Sequence, residues 1–277
     1  NSSWRKYNGA IISSFPPHKE VKDSNITRKI FKSQVFFARW VSDFDCKKEM
    51  SFWYVVKDGM FNVESLTSKV RNQVRKGLKN CVVRKIFKEE LIKKGYNVYI
   101  HAFKKYNTFN VPQNEVQFKE KIDALSLDFE FWGVFNERNK LIGYSQNRII
   151  FNVCEFSVTK FLPEYLRLRP SEALFYSMID FYINERKVSY IHNGTRSISH
   201  HTNIQDFLIK KFRFRKAFCR LHIAYHPLVR VLVWLMFPFR FLFKFSRIRI
   251  LRKIGVVLFQ EELRRNCNKK DSNASNL

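Results

Sequence analysis

Residues 193–203 form the most polar stretch in the second half of the sequence, directly after a predicted strand. Loops at strand ends often carry sites in α/β sheets, so we expect this stretch to border a cleft. Arg196 is a candidate to hold a phosphate or carboxylate through two parallel hydrogen bonds. A general base toward an attacking amine is expected at His200 or His201, and the pattern does not choose between them. Further hydrogen-bonding candidates are Ser197, Thr202 and Asn203. The alternative is an ordinary loop whose last residues cap the next helix.

A second group of candidates lies on a predicted helix over residues 66–81, where apolar residues recur at helical spacing. The other faces of this helix are basic, and no Asp or Glu occurs from residue 67 to residue 86. Such a face can contact a phosphate backbone without regard to base sequence. The alternative is a solvated charged surface. The candidate polyanion-binding residues are Lys69, Arg71, Arg75, Lys76 and Lys79.

Cysteine and histidine spacing does not indicate a metal site. The five cysteines never form a C-x-x-C pair, which favours a reducing compartment over a disulfide framework. Cys219, His222 and His226 are spaced C-x2-H-x3-H, but they lie on a predicted strand where Cys219 faces away from the two histidines. We therefore expect no bound metal.

The net charge is the strongest feature of the composition. In 277 residues, 51 Lys and Arg oppose 24 Asp and Glu, which gives a charge of +27. A field of this size attracts polyanions such as nucleic acid, anionic lipid or phosphorylated substrates, and it bears on partners rather than on fold. Because 45% of the residues are hydrophobic, we expect a sizeable core and exclude a wholly disordered chain.

Short apolar runs typical of strands are interspersed along the chain with segments of helical periodicity. This order predicts an α/β fold, with a mixed sheet flanked by helices. Strands are predicted over residues 31–40, 52–57, 82–86, 131–135, 141–150, 152–160, 188–192 and 214–225. Helices are predicted over residues 66–81, 89–106 with a break near Gly95, 115–124, 170–183 and 203–212.

The C-terminal segment differs from the rest of the chain. Residues 228–260 contain seven Lys or Arg among many large apolar residues, and no Asp or Glu. This pattern predicts an amphipathic helical tail, kinked at Pro238, that lies on an anionic membrane surface. The alternative is a helix packed on the core. No stretch of about 20 apolar residues would span a bilayer, so the expected location is cytoplasmic and peripheral, on the inner face of the membrane.

The predicted order of hairpin, strand, helix, strand, helix and strand over residues 131–225 resembles the core of the GNAT superfamily of acyltransferases. Residues 203–217 resemble the late helix and strand of that superfamily, although Arg213 stands where glycine is usual. The basic helix at 66–79 and the strand at 82–84 resemble those of FemAB-type aminoacyltransferases and CelD-like acetyltransferases, in which a related half precedes the GNAT-like half. The resemblance implies an N-terminal GNAT-like half over residues 1–125, a GNAT-like core over 126–227 and the tail over 228–277.

The resemblance also implies site residues. GNAT enzymes hold the pyrophosphate of acyl-CoA with a glycine-containing loop at a helix start, whereas residues 167–173 keep Arg167 but contain no glycine. Without glycine the backbone approaches a pyrophosphate less closely, which favours aminoacyl-tRNA over acyl-CoA as the donor; no tightly bound cofactor is expected. The candidate donor-binding residues are Arg167, Arg169 and Ser171.

In GNAT-like enzymes a carboxylate near residue 155 can deprotonate the amine, so Glu155 is a third candidate base and Tyr144 a candidate substrate contact. The alternative is that Glu155 faces solvent. The implied activity is transfer of an acyl or aminoacyl group to an amine or hydroxyl of a cell-envelope or lipid-linked glycan precursor. The other possibility is a non-catalytic adaptor that binds RNA or membrane on a degenerate GNAT scaffold, which the glycine-free loop favours. The expected partners are an anionic membrane surface, tRNA and the acceptor.

Overall fold

A computed structural model of the chain describes residues 4–7, 9–21, 25–105, 111–198, 203–244 and 248–272. The strands are β1 (Trp4–Tyr7), β2 (Ala10–Ser13), β3 (Phe37–Ser42), β4 (Phe52–Lys57), β5 (Val82–Ile86), β6 (Phe129–Phe135), β7 (Leu141–Ile150), β8 (Val153–Phe161), β9 (Tyr190–Thr195) and β10 (Arg215–Tyr225). The helices are α1 (Ile26–Ser33), α2 (Ser68–Asn80), α3 (Lys88–Phe103), α4 (Glu115–Asp123), α5 (Pro170–Ile179), α6 (Asn203–Phe212), α7 (Pro227–Met236), α8 (Arg240–Lys244) and α9 (Arg249–Ser272).

The chain forms two compact units. Unit 1 comprises Asn1–Val55, Thr195–Asn203 and Lys216–Leu277, and unit 2 comprises Val56–Gly194 and Ile204–Arg215. These units are discontinuous in sequence, whereas the three predicted segments follow chain order. The division at residues 125 and 227 therefore stays a prediction.

The strands of unit 2 are ordered β9-β8-β7-β6-β5. The pairs from β5 to β8 are antiparallel, and β8 runs parallel to β9. Helices α3 and α5 pack on this sheet, and α2 packs on α5. Both faces are covered, because every residue of β7 from Leu141 to Asn147 is buried, as expected for a sheet between helical layers.

In unit 1 the strands are ordered β1-β2-β3-β10-β4. One core cluster joins β3, β4 and β10 to the C-terminal helix α9, and its buried members include Phe52, Leu221, Leu263 and Cys267. A second cluster surrounds Ile30 of α1, which is fully buried. The core of unit 1 therefore depends on both ends of the chain.

The predicted fold class is confirmed, and so is the order β6, β7, β8, α5, β9, α6, β10. Thr67 caps α2, because its side chain accepts a hydrogen bond from the backbone N–H of Val70. The predicted interruption of the tail at Pro238 is also confirmed, since α7 ends at Met236 and a 3-10 turn over Phe237–Phe239 leads into α8.

Three boundaries were wrong. The predicted strand at 31–40 begins only at Phe37, because α1 runs to Ser33 and ends at Gln34 in a left-handed conformation. Helix α3 has no break at Gly95, where an added Cβ would lie 2.7 Å from the Leu91 side chain, so glycine serves close packing there. The helix predicted to reach residue 183 leaves α-helical geometry after Ile179 and continues as a π-helix, Asp180–Glu185.

The C-terminal part of the predicted tail follows the packing alternative. Leu258, Leu263 and Cys267 of α9 are buried, whereas α7 has one buried residue, Val233. Across the described ranges, no helix combines the length and apolar character that crossing a membrane requires.

Candidate functional site

The parallel strands β8 and β9 separate part-way along their length. Their paired residues run only from Val153 and Tyr190 to Glu155 and His192. Beyond this last pair β8 continues to Phe161 and β9 to Thr195. The strand ends thus border a notch in the sheet of unit 2, at the carboxyl ends of parallel strands where α/β sheets bind ligands.

A β-bulge lies at the mouth of this notch. On β7, Gln146 pairs with Val158 and the next residue, Asn147, pairs with Phe156, so Ser157 is an extra residue in β8. A bulge leaves its extra residue outside the regular ladder and re-aims the neighbouring backbone groups. Ser157 is exposed. The backbone polar groups of this bulge are therefore candidates for contact with a ligand.

Glu155 and His192 form the last rung before the notch. Because they are paired on parallel strands, their side chains point to the same face of the sheet. His192 is buried, and its Nδ1 accepts a hydrogen bond from the backbone N–H of Gly194 (3.2 Å). Glu155 is half-buried rather than fully solvent-facing. A carboxylate and an imidazole on one face at a strand end can move a proton to or from a bound group.

Two amide side chains stabilise the separated strands. The Asn193 side chain donates to the carbonyl oxygen of Phe156 (3.3 Å), at the position where the backbone ladder has ended. Gln205 of α6 donates in turn to the carbonyl oxygen of Asn193 (3.3 Å). The sequence placed Asn193 in the polar stretch expected to border a cleft, but neither Asn193 nor His192 was named as an individual site residue. The available signal was their place at the end of a strand followed by Gly194, whose φ is +68°.

The start of α5, where the GNAT resemblance places a pyrophosphate, holds a carboxylate of the chain itself. Glu172 is 2% exposed, and it accepts hydrogen bonds from Lys211 Nζ (2.6 Å) and Ser171 Oγ (2.7 Å). Arg169 Nη1 lies 3.5 Å from the same carboxylate, and Lys211 also donates to Gln73 of α2. Two of the three predicted donor-binding residues, Arg169 and Ser171, therefore bind Glu172; the third, Arg167, is exposed.

Glu172 stays charged in this setting. Burial raises the pKa of its carboxyl, but the hydrogen bonds from Lys211 and Ser171 outweigh burial, so the pKa lies below its usual value. Helix α2 packs closely against the start of α5, since a Cβ added at Gly77 would lie 2.5 Å from the carbonyl oxygen of Arg169. A helix start that is covered, and whose nearby cations already bind a carboxylate, is a poor site for a pyrophosphate.

Arg196 lies in unit 1. Its guanidinium stacks on Trp53 (4.1 Å to the ring centroid) and its Nη1 donates to the carbonyl oxygen of Ser51 at 2.5 Å. Burial lowers its pKa. Lys216 also lies over the ring of Trp53, at 4.6 Å. Arg196 is thus held by packing, and its predicted role as an anion anchor stays a prediction.

The other predicted site residues have varied surroundings. His200, His201 and Thr202 lie outside the described residues. Ser197 is half-buried in unit 1, and Asn203 is exposed at the first position of α6. Tyr144 is 1% exposed and has almost no surface with which to contact a substrate. Its role as a substrate contact stays a prediction.

The predicted polyanion-binding face is exposed on α2. The side chains of Lys69, Arg75, Lys76 and Lys79 are exposed. Arg71 differs, because its Nη1 donates to the carbonyl oxygen of Leu66 (2.7 Å) and its Nε lies 3.5 Å from a carboxylate oxygen of Glu64. Arg71 thereby ties the start of α2 to the preceding turn, which leaves four cations on the open face.

A buried polar network crosses unit 2 beside the sheet. The Tyr182 hydroxyl donates to Glu130 (2.9 Å) and accepts from Trp132 Nε1 (3.0 Å). Asn147 lies 3.4 Å from the same hydroxyl and accepts from Ser145 (2.7 Å). Tyr182 belongs to the π-helix, whose altered geometry brings this ring to the network. Among the described side chains, no group of three His, Cys, Asp or Glu could hold a metal ion.

Known proteins resemble this chain in structure rather than in sequence. No protein-family model matches the chain, and no curated protein matches it. FemX matches with a TM-score of 0.55 and 11% identity, over 84% of this chain and 85% of that chain. The C-terminal domain of a putative lysylphosphatidylglycerol synthetase from Agrobacterium fabrum matches with a TM-score of 0.53 and 11% identity, over 84% of this chain and 82% of that chain.

A third match covers a smaller share of the chain. The ribosomal-protein-S18-alanine N-acetyltransferase from Escherichia coli gives a TM-score of 0.32 and 14% identity, over 39% of this chain and 62% of that chain. The present chain therefore spans less than two thirds of the length of that enzyme. At such low identities the two longer matches establish the fold alone. The chain has the fold of FemX and of that synthetase domain, and the predicted α/β fold is confirmed.

Proposed function

We propose that this protein transfers an acyl or aminoacyl group to an amine or hydroxyl of a cell-envelope or lipid-linked glycan precursor. The observation that carries the proposal is the notch between β8 and β9. It combines a bulged strand with Glu155 and His192 on one face of its last rung. Polarised backbone groups and a proton acceptor at one strand end are the two elements that acyl transfer requires.

In the proposed reaction the acceptor nitrogen or oxygen attacks the carbonyl carbon of the donor ester. Glu155 or His192 takes the proton of the attacking group, and backbone N–H groups near Ser157 stabilise the negative oxygen of the tetrahedral intermediate. The intermediate collapses when the carbon–oxygen bond to the donor breaks, and the leaving oxygen receives the proton. His200 and His201 remain candidates for the same base.

The preferred donor is aminoacyl-tRNA rather than acyl-CoA. Glu172 and Lys211 neutralise each other at the helix start where acyl-CoA would place its pyrophosphate. The exposed cations of α2 offer a surface for a phosphate backbone instead. One protein of similar fold is a putative lysylphosphatidylglycerol synthetase, and its name describes lysine joined to a phospholipid. This similarity supports aminoacyl transfer to a lipid-linked acceptor.

The second candidate function is a non-catalytic adaptor that binds RNA or membrane. The closed start of α5 favours this function, because it lacks the phosphate site of a GNAT enzyme. The half-buried Glu155 beside His192 favours the enzyme. With either function, we place the protein at the inner face of the membrane, where a lipid-linked acceptor or a lipid partner is found.

The test is a mass-spectrometric screen in which charged tRNAs and acyl-CoAs are offered together with a lipid-extract acceptor. Transfer from tRNA should appear in the parent protein and fall by about 100-fold or more in Glu155→Gln or His192→Asn if that residue is the base. Glu137→Gln is the matched control, because Glu137 is exposed in the turn between β6 and β7. Undiminished transfer in both variants would refute the proposed bases, and absence of any transfer would favour the adaptor.

A further inference from the structure

Helix α7 is apolar on almost every side and yet almost entirely uncovered. Only Val233 is buried among its ten residues. Leu228 is 72% exposed and Trp234 is 70% exposed, and Leu232 and Leu235 are exposed as well. A helix that is apolar all round is normally buried in a core or in lipid. We therefore expect α7 to contact an apolar partner that is not among the described residues.

Helix α8 extends this surface. Phe241 and Leu242 are both exposed, and α8 follows α7 after a single 3-10 turn. We refer to the exposed side chains of Leu228, Leu232, Trp234, Leu235, Phe241 and Leu242 as the α7–α8 surface. Monomeric proteins rarely expose so many large apolar side chains in so short a segment.

The charge of this segment selects the partner. Residues 227–253 contain seven Lys or Arg and no Asp or Glu. Arg230 and Lys253 are exposed. Each basic residue near an anionic lipid surface adds about 1 kcal/mol to binding. A second copy of the chain would instead bring two segments of the same sign together across a symmetric interface, which opposes association.

The following helix, α9, has a different role. Its buried Glu261 accepts hydrogen bonds from Tyr225 (3.1 Å), Arg264 (2.8 Å) and Arg265 (2.8 Å). Leu263 and Cys267 complete the core of unit 1. Helix α9 is therefore a structural part of unit 1, and it fixes the end of the segment that begins at α7.

We propose that the α7–α8 surface inserts its apolar side chains into an anionic lipid bilayer, while α9 stays packed on unit 1. This inference specifies which part of the protein contacts the membrane, and it rests on the membrane location in the proposed function. It does not depend on the transfer reaction. Binding is measured without turnover, so the two proposals can fail separately.

The first measurement is cosedimentation with vesicles of phosphatidylcholine alone or mixed with phosphatidylglycerol. The full chain should bind the mixed vesicles and bind the neutral ones much more weakly. Trp234→Ser combined with Leu235→Ser should weaken binding by about tenfold or more. Arg230→Gln combined with Lys253→Gln should weaken it by about 30-fold at low salt. Met60→Ser combined with Leu127→Ser is the matched control, since both residues are exposed and apolar but lie in unit 2.

The second measurement separates insertion from adsorption by charge. Trp234 is the most exposed of the five tryptophans, so lipids brominated on the acyl chains should quench fluorescence in the parent and much less in Trp234→Phe. Failure of the parent to bind mixed vesicles, or equal quenching in both proteins, would overturn the proposal. So would self-association of the parent that the Trp234 and Leu235 substitutions abolish, because a second copy would then cover the surface.

Discussion

Replacing Glu172 by Gln removes one charge from a buried pair while keeping the shape of the side chain. The carboxylate is 2% exposed and is held by Lys211 and Ser171. In the variant the ammonium of Lys211 keeps its place but loses its counter-charge. We therefore expect Glu172→Gln to destabilise unit 2, in the region where α2, α5 and α6 meet.

The burial of the two partners sets the magnitude. Breaking a fully buried ion pair costs about 3–5 kcal/mol, whereas exposed pairs contribute about 0–1 kcal/mol. The side chain of Lys211 is 24% exposed, so water can partly solvate the orphaned ammonium. The free energy of unfolding should fall by about 2–3 kcal/mol in the variant. Adding Lys211→Met should restore most of this loss, because the double variant leaves no unpaired buried charge.

The effect should depend on pH in a defined direction. The pKa of Glu172 is lower in the folded protein than in the unfolded chain. Its contribution to stability is therefore complete above the unfolded pKa, about 4.3, and is lost as the pH falls through the lower folded pKa. The difference between parent and Glu172→Gln should be largest near pH 7 and should shrink below about pH 4.

Urea unfolding followed by circular dichroism measures the global effect, and hydrogen exchange in α5 and α6 measures it locally. Glu164→Gln, an exposed carboxylate just before α5, is the control and should leave both measurements unchanged. A loss below about 1 kcal/mol in Glu172→Gln, or a loss that does not vary with pH, would refute the buried-pair argument.

Further predictions concern other packed positions. Gly77→Ala should lower the free energy of unfolding by about 1–3 kcal/mol, because the added methyl meets a backbone oxygen at the start of α5; Asn72→Ala, on the exposed face of the same helix, should change little. Tyr182→Phe should cost about 1–3 kcal/mol in urea unfolding, since it leaves buried partners unsatisfied. Burial raises the pKa of the thiols of Cys154 and Cys219, so iodoacetamide at pH 8 should label them only after unfolding; rapid labelling of the native protein would contradict their burial.

Much of the fold was predictable, because in the central part of the chain the apolar positions of the sequence pattern are the positions that the structure buries. The strand β4 and the helix α6 begin and end where the sequence predicted, since alternation and helical spacing are unambiguous there. The strand predicted at 31–40 failed because Phe31 looks like a strand residue, whereas the buried Ile30 and the left-handed Gln34 belong to a helix and its cap. Short apolar runs fit both structures until tertiary contacts decide between them.

The candidate site was less predictable, because it depends on where two strands part. Glu155 was identified because the GNAT resemblance implies a carboxylate near this position, but nothing in the sequence paired it with His192. The bulge at Ser157 and the bridge from Asn193 to Phe156 are features of strand register, which no single-sequence pattern encodes.

The tail illustrates the same limit on a larger scale, since α7, α8 and α9 all combine basic residues with apolar ones. Composition assigns them one role, but Glu261 separates them: a carboxylate bound by Tyr225 and two arginines needs a protein environment and holds α9 on unit 1. No comparable carboxylate occurs in residues 227–253, where apolar side chains stay exposed. A buried, paired acid thus marks the part of a basic tail that belongs to the core. The acid-free part beside it is the part that we propose contacts lipid, and the vesicle measurements test this distinction directly.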